Sequence, residues 1–250
     1  MRLENQTVFV TGAGSGIGRA TALLASREGA AVAGVDIDEK GLKETVALVE
    51  EEGGRIDSSV CDITDPESVH EAVARCVSAF DGLQTVYNVA GIGAMRHTAE
   101  LSLEEWNRVL GVNLTGTFLV SQAALPHLLA NEESAIVNVA SVAGLNGQAY
   151  GAAYCASKWG VVGLSKAMAV EFVKQGLRVN CVCPAGVKTP LIAHFLPPEG
   201  ADPQLLSRLG LVPKFTEPEE VAEALVYLSS AAARSISGIA MAMDFGNSAT

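Results

Sequence analysis

The chain has 250 residues, which is enough for one core that buries roughly 70–75% of the surface of the unfolded chain. Acidic residues outnumber basic ones by 28 to 17, and the net charge of −11 argues against a nucleic acid or an anionic membrane surface as the main partner. The five cysteines include no C-x-x-C pair, which favours reduced thiols over disulfides or zinc ligands.

No apolar run in the sequence reaches the ~18–20 residues of a membrane-spanning helix, and the first residues lack the features of a targeting segment. We therefore expect a cytoplasmic protein of one domain, residues 1–250, that binds no metal.

Short β-branched segments alternate with longer segments of helical periodicity. The predicted strands are Thr7–Val10, Ala31–Asp36, Arg55–Val60, Thr85–Asn88, Ala135–Ala140, Arg178–Val182 and Gly238–Met243. The predicted helices are Ile17–Glu28, Glu39–Glu52, Pro66–Phe80, Leu103–Ala130, Tyr154–Lys174 and Pro218–Ser229. This alternation predicts an α/β fold, a doubly wound, seven-stranded parallel sheet of the Rossmann type between two layers of helices.

Thr64 and Thr216 each precede proline by two residues and glutamate by three, which predicts threonine N-caps.

A glycine-rich turn, TGAGSGIG, follows the first predicted strand and leads into a helix. Gly12, Gly14, Gly16 and Gly18 would let the backbone approach a ligand closely, and the free N–H groups at the start of the helix would favour an anion. The spacing fits neither a nucleoside-triphosphate loop nor G-x-G-x-x-G. The turn is therefore predicted either to bind the pyrophosphate of a dinucleotide or to serve packing alone.

Asp36 ends the second predicted strand, eighteen residues after the last of these glycines. A carboxylate there could accept both hydroxyls of an adenosine ribose and would repel a 2′-phosphate. Ile37 and Ser15, from which a basic residue could neutralise that phosphate, are uncharged, so the pattern favours NAD over NADP. The alternative is that Asp36 merely ends a strand. By the same geometry, Asp62 and Ile63 would lie near the adenine.

Further motifs follow in order along the chain. The ordered set is Thr11-Gly12-x-x-x-Gly16-x-Gly18, Asp62, Asn88-Val89-Ala90-Gly91, Asn113, Ser141, Tyr154-x-x-x-Lys158 and Pro184-Ala185-Gly186-Val187-Lys188-Thr189. Over essentially the whole chain, this set resembles the short-chain dehydrogenase/reductase family. The resemblance implies a homotetramer that binds NAD(H) or NADP(H) and interconverts alcohols and carbonyls.

The resemblance also implies a set of cofactor contacts. They are Gly12, Ser15, Gly16, Ile17, Gly18, Asp36, Ile37, Asp62, Ile63, Asn88, Ala90, Gly91, Tyr154, Lys158, Pro184, Val187 and Thr189. Two residues depart from the family pattern: Val89 stands where an asparagine is usual, and Ala185 where a glycine is usual. If that glycine supplies a positive φ, we expect Ala185 to be strained or the turn to be reshaped.

Tyr154 precedes Lys158 by four residues, so both side chains would lie on one face of a helix. A positive charge there favours the phenolate and is expected to lower the tyrosine pKa from its usual value near 10. Tyr150 lies two helical turns from Lys158 and is predicted either to line the pocket entrance or to be structural.

The resemblance implies a role for each catalytic candidate. Tyr154 would exchange the hydroxyl proton, and Ser141 would hydrogen-bond the substrate oxygen. Lys158 would bind the nicotinamide ribose, Asn113 would hold a water that links Lys158 to solvent, and Thr189 would close over the nicotinamide.

Residues 189–216 form a long irregular stretch that is predicted to be a substrate-binding lid. Its apolar residues are Leu191, Ile192, Phe195, Leu196, Leu205, Leu206, Leu209, Leu211 and Val212. They either bind an apolar alcohol or ketone substrate or simply pack the lid against the protein. Three functions remain open: an NAD-dependent dehydrogenase of a secondary alcohol, an NADPH-dependent reductase of a ketone such as an oxoacyl thioester, and a catalytically silent NAD(H)-binding regulator.

Overall fold

The computed structural model describes residues 1–206 and 214–249. The strands are β1 (Thr7–Thr11), β2 (Ala31–Asp36), β3 (Arg55–Val60), β4 (Thr85–Asn88), β5 (Ser134–Val139), β6 (Leu177–Pro184) and β7 (Ala240–Met243). The α-helices are α1 (Gly16–Arg27), α2 (Glu39–Glu51), α3 (Pro66–Phe80), α4 (Leu103–Leu110), α5 (Thr117–Leu128), α6 (Ala152–Phe172), α7 (Pro203–Leu206) and α8 (Pro218–Ser229). The described strands form a seven-stranded, all-parallel sheet in the order β3-β2-β1-β4-β5-β6-β7, which confirms the predicted fold.

The core lies on both faces of this sheet. Every residue of β1 is buried, because a parallel strand covered by helices on both sides exposes neither face. Phe9 packs with α3, α5 and α6, whereas Val8 and Val10 pack with α1, α2 and α8. The chain reverses direction across the sheet between β1 and β4, and this reversal opens a crevice at the carboxyl ends of the strands.

The predicted helix Leu103–Ala130 is wrong in detail. It is divided into α4 and α5 by a π-helical turn, Gly111–Gly116. Asn113 explains the turn, because its side-chain amide donates to the carbonyl oxygen of Ile92 at 2.8 Å and accepts from the N–H of Ile92 at 2.8 Å. A wider turn in the helix directs Asn113 toward this partner.

The two predicted threonine N-caps are also wrong by one residue. Asp65 caps α3 by accepting a hydrogen bond from the N–H of Glu67, and Glu217 caps α8 in a reciprocal capping box with Glu220. Thr216 is buried and pairs through its backbone with Val187. A carboxylate is a better acceptor than a hydroxyl for the first N–H groups of a helix.

The stretch Leu103–Leu128 is long and apolar enough to span a membrane by length and composition, so the expectation that no run reaches this length is corrected. A core helix of a globular protein meets the same criteria. Here α5 packs against α3 and against the strands β4 and β5. The five cysteines are unpaired, and Cys181 and Cys183 are buried in β6.

Candidate active site

The carboxyl ends of the central strands open into a cavity of about 520 Å³. Three of the four predicted catalytic residues line it: Ser141, Tyr154 and Lys158. Besides Tyr154 and Lys158, five predicted cofactor contacts line the cavity: Ile17, Gly91, Pro184, Val187 and Thr189. The fourth catalytic candidate, Asn113, is completely buried behind Gly91.

The glycine-rich turn forms a bare cradle at one end of the crevice. Gly12 has a φ of 70°, and a Cβ on Gly18 would lie 1.9 Å from the Gly12 carbonyl oxygen, so neither position accepts a side chain. The N-cap Ser15 makes no side-chain cap hydrogen bond to α1, which leaves the first N–H groups of α1 available to an anion. A Cβ on Gly16 would lie 2.9 Å from Cγ2 of Thr189, so the start of the lid adjoins the turn.

Asp36 stands beside this cradle at the end of β2. Its Oδ2 accepts from the N–H of Gly14 at 2.9 Å, and its Oδ1 accepts from the N–H of Asp38 at 3.0 Å. A Cβ on Gly14 would lie 2.9 Å from the same carboxylate. Ile37 next to it is 71% exposed. The carboxylate is therefore held against the turn, as a ribose contact requires, and a dinucleotide fits the cradle.

Arg19 supports the cradle and was not predicted from the sequence. Its guanidinium donates to the Thr45 hydroxyl at 3.0 Å, to the Glu44 carboxylate at 2.8 Å and to the Gly14 carbonyl oxygen. These contacts fasten the turn to α2. The arginine falls one residue after the glycine motif, but its partners lie 25 and 26 residues away, so no local pattern revealed them.

The next predicted cofactor contacts, Asp62 and Ile63, follow β3. Asp62 is exposed and accepts from the N–H of Thr64 at 2.8 Å and from its hydroxyl at 2.7 Å. Ile63 is buried, and a Cβ on Gly116 would lie 2.7 Å from its Cδ1. Asp62 therefore holds the turn after the strand, while Ile63 packs against the π-helical turn.

The segment after β4 is fixed to β1. The Thr11 hydroxyl accepts from the N–H groups of Val89 and Ala90 at 2.9 and 3.0 Å. The Asn88 side chain is buried and donates to the Ser121 hydroxyl and to the Asn138 amide oxygen, and Asn88 is not among the residues that line the cavity. Val89 lines the cavity, so this departure from the family pattern changes a cavity wall.

Tyr154 and Lys158 lie on α6, as predicted, and are 8% and 4% exposed. The Lys158 ammonium donates to the Val139 carbonyl oxygen at 2.9 Å and lies 5.7 Å from the centre of the Tyr154 ring. Ser141 follows β5 and accepts from the N–H of Ala143 at 3.2 Å. The three side chains reach the cavity from two neighbouring elements.

The expected lowering of the tyrosine pKa is not found. Burial raises the pKa of Tyr154 to about 12, and the Ser141 hydroxyl only partly offsets this effect. Burial also lowers the pKa of Lys158 to about 8. Loss of water around the buried phenol is the dominant cause of the raised tyrosine pKa. At neutral pH, Tyr154 is therefore a phenol that can donate a proton.

Asn113 anchors the loop beside this group. Besides its two bonds to Ile92, its amide donates to the Ser157 hydroxyl at 3.0 Å. A Cβ on Gly91 would lie 3.2 Å from the Asn113 amide oxygen and 3.5 Å from the Lys158 nitrogen, so the glycine keeps these groups close. Both ends of the Asn113 amide are already hydrogen-bonded within the protein. A water relay through Asn113 stays a prediction.

Ala185 does not have the positive φ that the family glycine would suggest, since it is absent from the described residues with that conformation. Its N–H donates to the Met243 carbonyl oxygen at 3.0 Å. The expected strain is therefore absent.

The lid contributes Leu191, Ile192, Phe195 and Leu206 to the cavity wall. By contrast, Leu196 is 69% exposed. Three predicted lid residues lie outside the described part of the chain: Leu209, Leu211 and Val212. Lys214 and Phe215, at the end of the predicted lid, also line the cavity. The sequence did not indicate Asp244, Phe245 and Asn247, which line it as well.

Tyr150 lies outside the described cavity lining. Its hydroxyl accepts from the N–H of Asp202 at 2.8 Å, and its ring packs edge-on against His97 with 5.0 Å between the ring centres. His97 in turn bonds the Glu199 carbonyl oxygen at 2.8 Å. Tyr150 therefore holds the lid, and Tyr154 is the tyrosine beside Ser141 and Lys158.

Known proteins are similar to this chain in sequence. The family model described as short chain dehydrogenase matches residues 6–199. A cyclohexanol dehydrogenase of Acinetobacter sp. strain SE19 is 39% identical over 97% of this chain and 95% of its own length. A 3-oxoacyl-(acyl-carrier-protein) reductase of Thermotoga maritima is 37% identical over 98% of this chain and 99% of its own length.

A solved structure shows the same fold. The short chain dehydrogenase from Mycobacterium paratuberculosis bound to NAD superposes with a TM-score of 0.94 at 30% sequence identity, and the alignment covers 100% of both chains. The chain belongs to the short-chain dehydrogenase/reductase family of oxidoreductases.

Proposed function

We propose that the protein is an NAD(H)-dependent oxidoreductase that interconverts an apolar secondary alcohol and its ketone. The observation that carries this proposal is the convergence of Ser141, Tyr154 and Lys158 on one largely apolar cavity beside the glycine cradle. A positioned acid next to a hydroxyl donor can polarise a carbonyl and protonate its oxygen.

Each of these groups has a role in the proposed reaction. In reduction, the Tyr154 phenol donates its proton to the ketone oxygen, and the Ser141 hydroxyl donates a hydrogen bond to the same oxygen. In oxidation, the phenolate of Tyr154 takes the proton of the alcohol. Lys158 would hold the nicotinamide ribose, and Asn113 keeps the neighbouring loop in place. A bound nicotinamide cofactor would supply or accept the hydride.

The preference for NAD follows from the charges around the cradle. The Asp36 carboxylate lies at Gly14 and would repel a 2′-phosphate. Arg19, which donates to the Gly14 carbonyl oxygen of the turn, is paired with Glu44 at 2.8 Å. Ile37 offers no charge. The structurally similar dehydrogenase from Mycobacterium paratuberculosis is bound to NAD, which supports the same choice.

The second candidate is an NADPH-dependent 3-oxoacyl-(acyl-carrier-protein) reductase, favoured by the 37% identity with the Thermotoga maritima protein of that name. It needs a site for the 2′-phosphate, which Asp36 opposes. The third candidate, a silent NAD(H)-binding regulator, needs no proton donor at the cavity, yet Ser141 and Tyr154 are both in place.

A fluorescence titration with NADH and NADPH, followed by a screen of ketones and secondary alcohols, separates these candidates. Tighter binding of NADH with turnover of a secondary alcohol supports the first. Tighter binding of NADPH with reduction of an oxoacyl thioester supports the second. Tight binding of NADH without turnover on a broad panel supports the third.

We also propose that the protein is a cytoplasmic homotetramer. Apolar side chains on α5 and α6 are exposed in the single chain, among them Phe118, Trp159 and Val170, and burying them would favour association. Light scattering coupled to size exclusion measures the mass, and a monomer at micromolar concentration would refute the tetramer.

A further inference from the structure

The lid places an aromatic ring directly on Tyr154. The rings of Phe195 and Tyr154 pack edge-on, with 4.9 Å between their centres and 79° between their planes. Both rings line the cavity that Ser141 also reaches. One edge of the proposed proton donor is therefore covered by the lid.

Gly93 forms the seat of this ring. A Cβ on Gly93 would lie 2.3 Å from Cζ of Phe195, 2.7 Å from its Cε2 and 3.0 Å from Cδ2 of Tyr154. Real Cβ atoms do not approach other atoms so closely. Gly93 is not among the described glycines with a positive φ, so a side chain at this position would disturb the close approach of the two rings and not the backbone conformation.

The surroundings of the seat are held in place. Ile92, the neighbour of Gly93, is hydrogen-bonded through both backbone groups to Asn113. Tyr154 is buried within α6. Beyond Phe195, the lid is fastened again where the N–H of Asp202 donates to the Tyr150 hydroxyl. These contacts hold the loop, the helix and the part of the lid that surround the ring.

We propose that Phe195, seated on Gly93, is the residue that determines substrate specificity by limiting the group on one side of the reacting carbon. This inference rests on the proposed function. The substrates would be apolar secondary alcohols and ketones with one compact substituent beside Phe195 and a larger apolar substituent in the rest of the cavity, toward Leu206 and Phe215.

The test uses the best ketone of the screen and its homologues in which the smaller substituent is longer by one and two CH₂ groups. A CH₂ group in an apolar pocket changes discrimination by roughly 10-fold or more. We therefore expect Phe195→Ala to raise kcat/KM for the longer homologues, relative to the parent ketone, about 10-fold. The control Leu196→Ala removes an exposed apolar side chain of the same lid and should leave this ratio within about twofold.

A second variant tests the seat itself. Gly93→Ala should displace Phe195 and lower kcat/KM for the parent ketone about 10-fold. In the Phe195→Ala background, Gly93→Ala should lower kcat/KM about threefold or less, because the phenyl ring that the new methyl group would meet is absent. Equal losses in both backgrounds would mean that the methyl group acts on Tyr154 alone, and the seat would be refuted.

Failure of the proposal and failure of the proposed function give different results. If the wild-type protein reduces the panel but Phe195→Ala leaves the homologue ratio unchanged, the specificity role is refuted and the proposed function stands. If the wild-type protein reduces no member, the proposed function and the specificity role both fail. The thermal unfolding of the wild type, of Gly93→Ala, of Phe195→Ala and of the double variant then still decides whether Gly93 seats Phe195, since only a seat makes the Tm loss from Gly93→Ala smaller in the Phe195→Ala background.

Discussion

Replacing Lys158 with methionine should change how the free energy of unfolding depends on pH. Burial lowers the pKa of Lys158 from its ordinary 10.5 to about 8. At about 1.4 kcal/mol for each tenfold change in proton affinity, this lowering corresponds to about 3 kcal/mol. Lys158 is only 4% exposed, so solvent does little to screen this cost.

The sign follows from the number of protons that each state binds. Below pH 8, Lys158 is charged in both states, and burial of that charge destabilises the folded state. Between pH 8 and 10.5 the folded protein has lost this proton while the unfolded chain still holds it, so stability rises with pH. Methionine does not titrate. The free energy of unfolding of the wild type, minus that of Lys158→Met, should therefore rise by about 3 kcal/mol from pH 7 to pH 10.5.

Urea unfolding followed by circular dichroism at several pH values between 7 and 10.5 measures this difference. The lost hydrogen bond to Val139 changes the free energy of unfolding by a similar amount at every pH. Tyr154 is present in both proteins, so its titration cancels from the difference. Lys166→Met, an exposed lysine on the same helix, is the matched control and should show no such rise. A difference between wild type and Lys158→Met that stays constant within about 0.5 kcal/mol would refute the argument from burial.

Three further substitutions test the site. Tyr154→Phe removes the proton donor and should lower kcat at least about 100-fold with the Kd for NADH within a few-fold, and retention of turnover would remove Tyr154 from the chemistry. Tyr150→Phe loses only the hydrogen bond to Asp202 and should raise KM about threefold to tenfold at similar kcat; a loss equal to that of Tyr154→Phe would reverse the assignment of the two tyrosines. Asp36→Ala should bring the Kd values for NADH and NADPH closer together, and unchanged discrimination would place the ribose elsewhere.

The sequence predicted those features that depend on neighbouring residues. The buried run of β1 follows from its β-branched residues, and the position of Tyr154 beside Lys158 follows from the spacing of a helical turn. The N-caps were wrong by one residue because threonine and a carboxylate compete as acceptors at adjacent positions. In both helices the carboxylate residue, Asp65 or Glu217, is the N-cap.

Features that join distant segments could not be predicted. Gly93 and Phe195 are about a hundred residues apart, and only the folded chain shows that one seats the other. The pKa of Tyr154 was predicted in the wrong direction, because the sequence shows the nearby charge of Lys158 but not the loss of water around both groups.

The π-helical turn between α4 and α5 has a consequence for insertions and deletions. Such a turn contains one residue more than a regular helix would. Deleting one residue from Gly111–Gly116 would let α4 and α5 join in one continuous helix. Each residue of an α-helix advances by about 100°, so Asn113 would rotate away from Ile92, and both backbone groups of Ile92 would lose their partner. A continuous helix would therefore need one residue fewer, whereas the hydrogen bonds that hold the loop carrying Gly93 need the extra residue.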